Sequence, residues 1–164
     1  MFREMRRKKQ LLDSKECIDI LNSENCGVLA LLGDNDYPYS VPISYVYINN
    51  KIYFHGAKSG HKIDAIKKHS KASFCVIHKN DIVAEEYTTY FRSVIAFGTI
   101  KIIEDDAERM VALKSLAVKF HPQGTDNDHM AEINKFWNSV CMIEFNIEHL
   151  TGKEAIELVR QKNK

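Results

Sequence analysis

Hydrophobic positions along the chain change period several times, and each change marks an element. Ile18 and Leu21 share a helical face behind Asp13 and Glu16, which are spaced as a capping box, so a short amphipathic helix is expected over 15–24. Residues 28–32 form a compact apolar run stopped by Gly33, Asp34, Asn35 and Asp36, side chains that favour a tight turn. Val, Ile and Tyr dominate 39–48, Asn49 and Asn50 make a second turn, and 51–55 is again strand-like. Three consecutive antiparallel strands are therefore expected.

The period turns helical over 62–69, where Ile63 and Ile66 make an apolar stripe among lysines, and returns to strand over 72–77. A long β-rich segment covers 94–103, with Gly98 as a candidate bulge. Met110, Leu113, Leu116, Ala117 and Phe120 recur at three and four residues, predicting a helix over 106–121 that Pro122 and Gly124 end. The polar stretch 123–129 reads as a loop, 130–137 as a helix, 140–145 as a strand and 155–159 as a last strand. About six strands in hairpin order with intervening helices make the class mainly β with helices (α+β). They favour an antiparallel closed or partly closed barrel over a doubly wound sheet.

Composition narrows the function classes. The 164 residues suit one domain, whose core can stand without disulfides or a structural metal. With 45% hydrophobic and 27% charged residues, the chain is ordinary globular protein rather than disordered or membrane sequence. A formal charge of +1 argues against a dedicated nucleic-acid binder, although Arg3, Arg6, Arg7, Lys8 and Lys9 form one local basic cluster. That cluster reads as a solvated tail in preference to an anion-contacting arm. No apolar run approaches a membrane span and the basic start lacks a signal-peptide core, so a cytoplasmic protein without a membrane partner is expected. Cys17, Cys26, Cys75 and Cys141 form no C-x-x-C pair and read as free core thiols, with no metal site assigned.

Chemistry concentrates at 53–62, where a strand ending in Tyr53, Phe54 and His55 meets a turn with Gly56 and Gly60 before a helix begins. Unpaired N–H groups at such a helix entrance, with His61 and Lys62 beside them, suit a phosphate. The segment carries neither a Walker nor a dinucleotide fingerprint, and a plain surface turn explains its glycines and lysines equally well. Pro38 and Pro42 remove backbone donors from the 38–45 run, leaving an edge that is either shielded against aggregation or open to a flat ring.

In this order the segments resemble the pyridoxamine 5'-phosphate oxidase-like flavin-binding superfamily, and within it the nitroimidazole-resistance branch. The basic stretch at Met5, Arg6, Arg7 and Lys8 resembles that branch's N-terminal signature. P-Y-x-x-P-x-x-Y follows at 38–45 and H-x-A-x-x-G-x-K at 55–62, while Tyr90, Ser93, Val94 and Gly98 resemble its final hairpin. The resemblance implies a six-stranded split β-barrel homodimer holding FMN at each of two subunit interfaces. It implies that Val41, Pro42, Ile43 and Ser44 lie along the isoalloxazine, with Phe54, His55, Gly56 and Ala57 on the adjoining strand and turn. His61 and Lys62 match the phosphate end, and Ser93 a position reaching the flavin of the neighbouring subunit.

On this reading the protein is an FMN-dependent oxidoreductase, reduced by NAD(P)H or another donor, that passes electrons to a small-molecule acceptor such as a nitroaromatic. His55 is the candidate for orienting that acceptor or supplying a proton, since imidazole titrates near neutrality; a packed structural histidine is its plainer reading. Genuine pyridoxamine-phosphate oxidases carry an Arg-rich substrate segment at their C-terminus, and residues 153–160 do not match it. The alternative is a non-catalytic module holding flavin, or haem through His55, His61 or His121.

Overall fold

A computed structural model describes residues 2–162. The elements run β1 (Leu11–Leu12), α1 (Ser14–Ser23), β2 (Cys26–Leu32), β3 (Pro38–Ser44), β4 (Val46–Ile48), β5 (Lys51–Ala57), α2 (His61–Lys68), β6 (Lys71–Val83) and β7 (Thr88–Ile102). They continue with α3 (Asp106–Phe120), α4 (Asp126–Phe136), β8 (Val140–Glu154) and α5 (Ile156–Lys162). One antiparallel sheet carries the order β3-β2-β6-β7-β8-β5-β4, with β1 paired to the end of β8.

The expected strand over 39–48 is two strands that lie at opposite ends of this order. Only Tyr45 separates them, so the sheet must curl until its two ends meet, which makes it a barrel. No ladder joins β3 to β4 or β5 among the described residues, so the barrel stays split along that line. Tyr45 itself is fully buried; its hydroxyl donates to Leu21 O at 2.9 Å and its ring meets Phe74 edge-on at 4.9 Å. The bend is thus held by a filled core position and a satisfied hydroxyl. The architecture is the antiparallel split barrel expected from the sequence, with eight strands where about six were expected, because this bend and the two-residue β1 each add one.

Alternation along the strands sorts residues between two cores. Leu29, Ile52, Phe54, Phe74, Val76, Ile143 and Phe145 fill the barrel, while Val46, Tyr53, Ile103, Ala112, Leu116 and Met142 form a smaller cluster beneath α3. Gly98 lies where the β7–β8 register shifts, so the bulge expected there is present. β6 and β7 run well past their expected ends into a long hairpin whose polar flank, Lys79 to Asp81, hides the strand signal.

Two expectations are corrected at the C-terminal half. Residues 155–159 open α5 rather than a strand: Ala155 N makes the last bond to the sheet, to Phe91 O at 2.9 Å, and Leu158 N then turns back to Ala155 O at 3.1 Å. Lys162 reaches Glu154 Oε1 at 2.7 Å, folding the segment back on the strand it leaves. The stretch 123–129 is not all loop either, because Thr125 and Asp128 form a capping box that starts α4 at Asp126. The capping box expected at Asp13 and Glu16 is present.

Cys26 is exposed rather than a core thiol, since it stands at the start of β2; Cys17 and Cys141 are buried and all four are free. The N-terminal arm is more than a solvated tail. Its basic side chains stay exposed, but Phe2 stacks on His149 at 4.6 Å and buried Gln10 donates to Glu154 O at 2.8 Å. Among the described residues no helix is long and apolar enough to cross a membrane, and no three His, Cys, Asp or Glu side chains converge as a metal-binding group.

Candidate functional site

The split leaves two bare strand edges. β3 pairs through one edge with β2, and β5 pairs with β8 along its length but with β4 only as far as Tyr53. The free edge of 54–57 and that of β3 therefore flank the split with unpaired peptide groups, which suit a flat ring needing backbone partners. Ser44 closes β3 at this point, and His55, Gly56 and Ala57 close β5.

Strand alternation decides which of these side chains reach a ligand. Phe54 points inward, is fully buried and packs edge-on to Phe74 at 5.1 Å, so only its backbone faces the split. Val41 and Ile43 pack against the barrel core, while Pro42 is exposed. Ser44, His55, Gly56 and Ala57 all line one cavity of about 930 Å³, whose far wall is α3 and α4. That volume lies toward the upper end of the ~300–1,000 Å³ usual for small-molecule sites.

The two cationic candidates of α2 part company. His61 stacks on Tyr39, ring centroids 4.1 Å apart, with its Nε2 3.8 Å from an Asp34 carboxylate oxygen, so it faces the β2–β3 turn. Lys62 lies over Gly56: a Cβ on that glycine would stand 3.1 Å from Lys62 Nζ. Among the described residues Lys62 makes no ion pair and no side-chain hydrogen bond, and burial holds its pKa below the ordinary lysine value. The N-terminus of α2 also lacks a side-chain cap; its N-cap is Gly60 at φ +114°, a backbone conformation that favours glycine. An uncapped helix start and a half-buried ammonium without a partner among the described residues have the chemistry that suits an anion.

His55 and Lys62 approach the end of β5 from opposite faces. Burial is the larger cause that lowers the His55 pKa below the usual imidazole value, and the Lys62 charge adds to it. Both causes favour the neutral ring, which offers one donor and one acceptor nitrogen. Ser93 does not line the cavity. It stands on β7 opposite Ile77 and Lys153, on the outer face with exposed Ile95 and Phe97.

Sequence reasoning did not foresee the α3–α4 wall, made by Leu113, Leu116, Phe120, Ile133 and Phe136. The signal was present as the apolar recurrence at 110–120, but by itself it predicts only a helix. Only the packing of α3 on α4 shows that part of it faces a void.

The barrel, its split and the cavity define the flavin-binding split-barrel class of fold. The family model for pyridoxamine 5'-phosphate oxidase matches residues 13–154, and the chain belongs to that family. Among solved structures, a protein assigned to 5-nitroimidazole antibiotic resistance from Bacteroides thetaiotaomicron superposes with a TM-score of 0.72 at 19% identity, covering 88% of this chain and 86% of its own. A FAD-binding protein from Mesorhizobium loti gives 0.66 at 22%, covering 89% and 97%. A FAD- and haem-binding protein from Mycobacterium smegmatis gives 0.71 at 21%, covering 90% and 73%. At these identities the likeness establishes the fold. No curated protein matches the sequence.

Proposed function

We propose that the chain is a flavoprotein that holds FMN in the split and, with electrons from NAD(P)H or another donor, reduces a small acceptor such as a nitroimidazole or another nitroaromatic. The observation that carries this reading is the partnerless Lys62 ammonium over Gly56 at the uncapped start of α2. Phosphate needs fixed donors and positive charge, and both stand beside bare strand edges suited to an isoalloxazine. Val41, Pro42, Ile43 and Ser44 contribute the β3 edge, while Phe54 contributes backbone alone. His61 serves this site indirectly, by bracing the α2 start against Tyr39 and Asp34.

Bound FMN supplies electron chemistry that no side chain here possesses. The residues hold it and present His55 to orient an acceptor or move a proton. Working as a homodimer fits the outer face, where Ile77, Ile95 and Phe97 are 58%, 38% and 39% exposed and suit cover by a second copy. Ser93, on that same face, is then placed to serve the neighbouring subunit's flavin.

The second reading is a module of the same fold that holds flavin or haem without turnover. It draws on His55 and His121, which with His129 line the same cavity. An absorption spectrum of the purified protein separates flavin from haem, and anaerobic mixing with NAD(P)H and a nitroimidazole tests turnover. Lys62→Ala is expected to lose FMN while the flavin-free protein keeps its Tm; equal FMN affinity in mutant and parent overturns the assignment.

A further inference from the structure

The two faces at the end of β5 differ electrically, and only the one toward α3 and α4 opens into the cavity. On the α2 side of β5 stands Lys62 without a carboxylate partner. On the α3–α4 side no lysine or arginine lines the wall, and the polar groups there are His121, His129, Asp128 and Glu132. Asp128 is engaged by its own helix, accepting from Thr125 N at 2.9 Å and Thr125 Oγ1 at 2.7 Å. His129 is buried, and its Nε2 is 3.0 Å from His121 O. Glu132 meets only Lys135, at 3.6 Å with both side chains largely exposed, so its charge is weakly compensated at the rim. Lys135 in turn lies over the Phe136 ring at 4.7 Å, and Lys119 sits over Tyr45 at 4.3 Å and donates to Glu24 O, with the Phe120 ring 5.9 Å away.

The cavity walls are apolar: Leu113, Leu116 and Phe120 from α3 face Ile133 and Phe136 from α4. A slot with hydrophobic sides, the His55 imidazole at its β5 wall and a carboxylate at its rim selects by shape and by sign of charge. A phosphorylated or carboxylated molecule entering there gives up hydration, meets no lysine or arginine among the residues that line the wall, and approaches Glu132, whose partner Lys135 is already engaged.

We propose that the α3–α4 face is the acceptor subsite of this protein, that it takes flat neutral or positively charged aromatic molecules and rejects anionic ones, and that Glu132 sets the preference. The proposal rests on the flavin reading for the word acceptor, and on the cavity alone for the selectivity. It also separates this chain from phosphate-bearing substrates of its family, since a second phosphate has no cation to meet on this wall.

Three probes of one shape read the sign of charge: para-nitrobenzylamine, para-nitrobenzyl alcohol and para-nitrobenzoate, titrated by calorimetry into the protein as purified. The expected order of affinity is amine, then alcohol, then benzoate, with about tenfold between the first and last. Glu132→Lys, at an exposed position, should reverse the amine and the benzoate, and Glu132→Gln should bring them together. Ala117→Phe, filling the slot, should weaken all three alike. An unchanged order in Glu132→Lys, full binding in Ala117→Phe, or no binding of any probe overturns the proposal. Flavin content, read from the absorption spectrum of the same samples, reports the cofactor reading separately: a colourless protein that still shows the charge order retains the slot and loses the flavin.

Discussion

Lys62 Nζ occupies the space beside Gly56 that a side chain there would compete for, 3.1 Å from the position of a Cβ. The glycine is thus a seat for the ammonium, and the two residues act together. Gly56→Val is expected to displace the lysine tip, which is flexible, and so to weaken FMN retention much more than it lowers stability. Fluorescence titration of FMN against urea unfolding of the flavin-free protein checks this; parallel losses in both would make Gly56 a packing residue only.

His55 should titrate below the ordinary imidazole midpoint of about 6.5, because burial and then Lys62 disfavour its charged form. In Lys62→Ala the midpoint should move up and stay below that value, since burial remains. FMN or inorganic phosphate beside Lys62 should move it the same way by cancelling the charge. The unfolded chain binds this proton more readily than the folded one, so His55 subtracts nothing above the ordinary midpoint. It costs stability as pH falls below that midpoint. An NMR titration of the ring reads the shift, and a midpoint indifferent to Lys62 would break the link between the two groups.

Glu154 is buried and is met by Arg92 Nη2 at 2.7 Å, Arg92 Nε at 3.1 Å and Lys162 Nζ at 2.7 Å. Arg92→Leu leaves a buried carboxylate with one cation, at a cost of roughly 2 kcal/mol. Urea denaturation measures it. Because the group tethers α5 and the arm rather than the cavity, FMN affinity should not change.

Gly98 packs directly on the backbone carbonyl of Asn146 at the bulge between β7 and β8, and neither backbone can yield cheaply. Gly98→Ala should lower stability by about 3 kcal/mol, seen as a drop in Tm, and a neutral outcome would mean that the register slips to absorb the methyl.

Much of this fold was legible because its signals are local. The capping box at Asp13 and Glu16 and the 3.6-residue recurrence of α3 each depend on neighbours a few residues away. The motifs at 38–45, 55–62 and 90–98, taken in order, gave the family, and the second of them marked Lys62 as the candidate for holding an anion. Where local signals misled, a distant partner had decided. Residues 155–159 are apolar enough for a strand, yet Glu154, held by Arg92, and Lys162 turn them into a helix. Residues 39–48 look like one strand, yet the hydroxyl of Tyr45 finds Leu21 O and the bend splits them between the two ends of the sheet.

The same division runs through the site. By itself the sequence determined which residue types gather at the end of β5, because strand, turn and helix start are adjacent in the chain. Only the tertiary structure decided that Phe54 turns inward, that His61 is drawn to Tyr39, and that α3 and α4 wall a cavity above His55. Those outcomes depend on which surfaces close the barrel, and burial compares every alternative face at once, a comparison no stretch of local pattern contains.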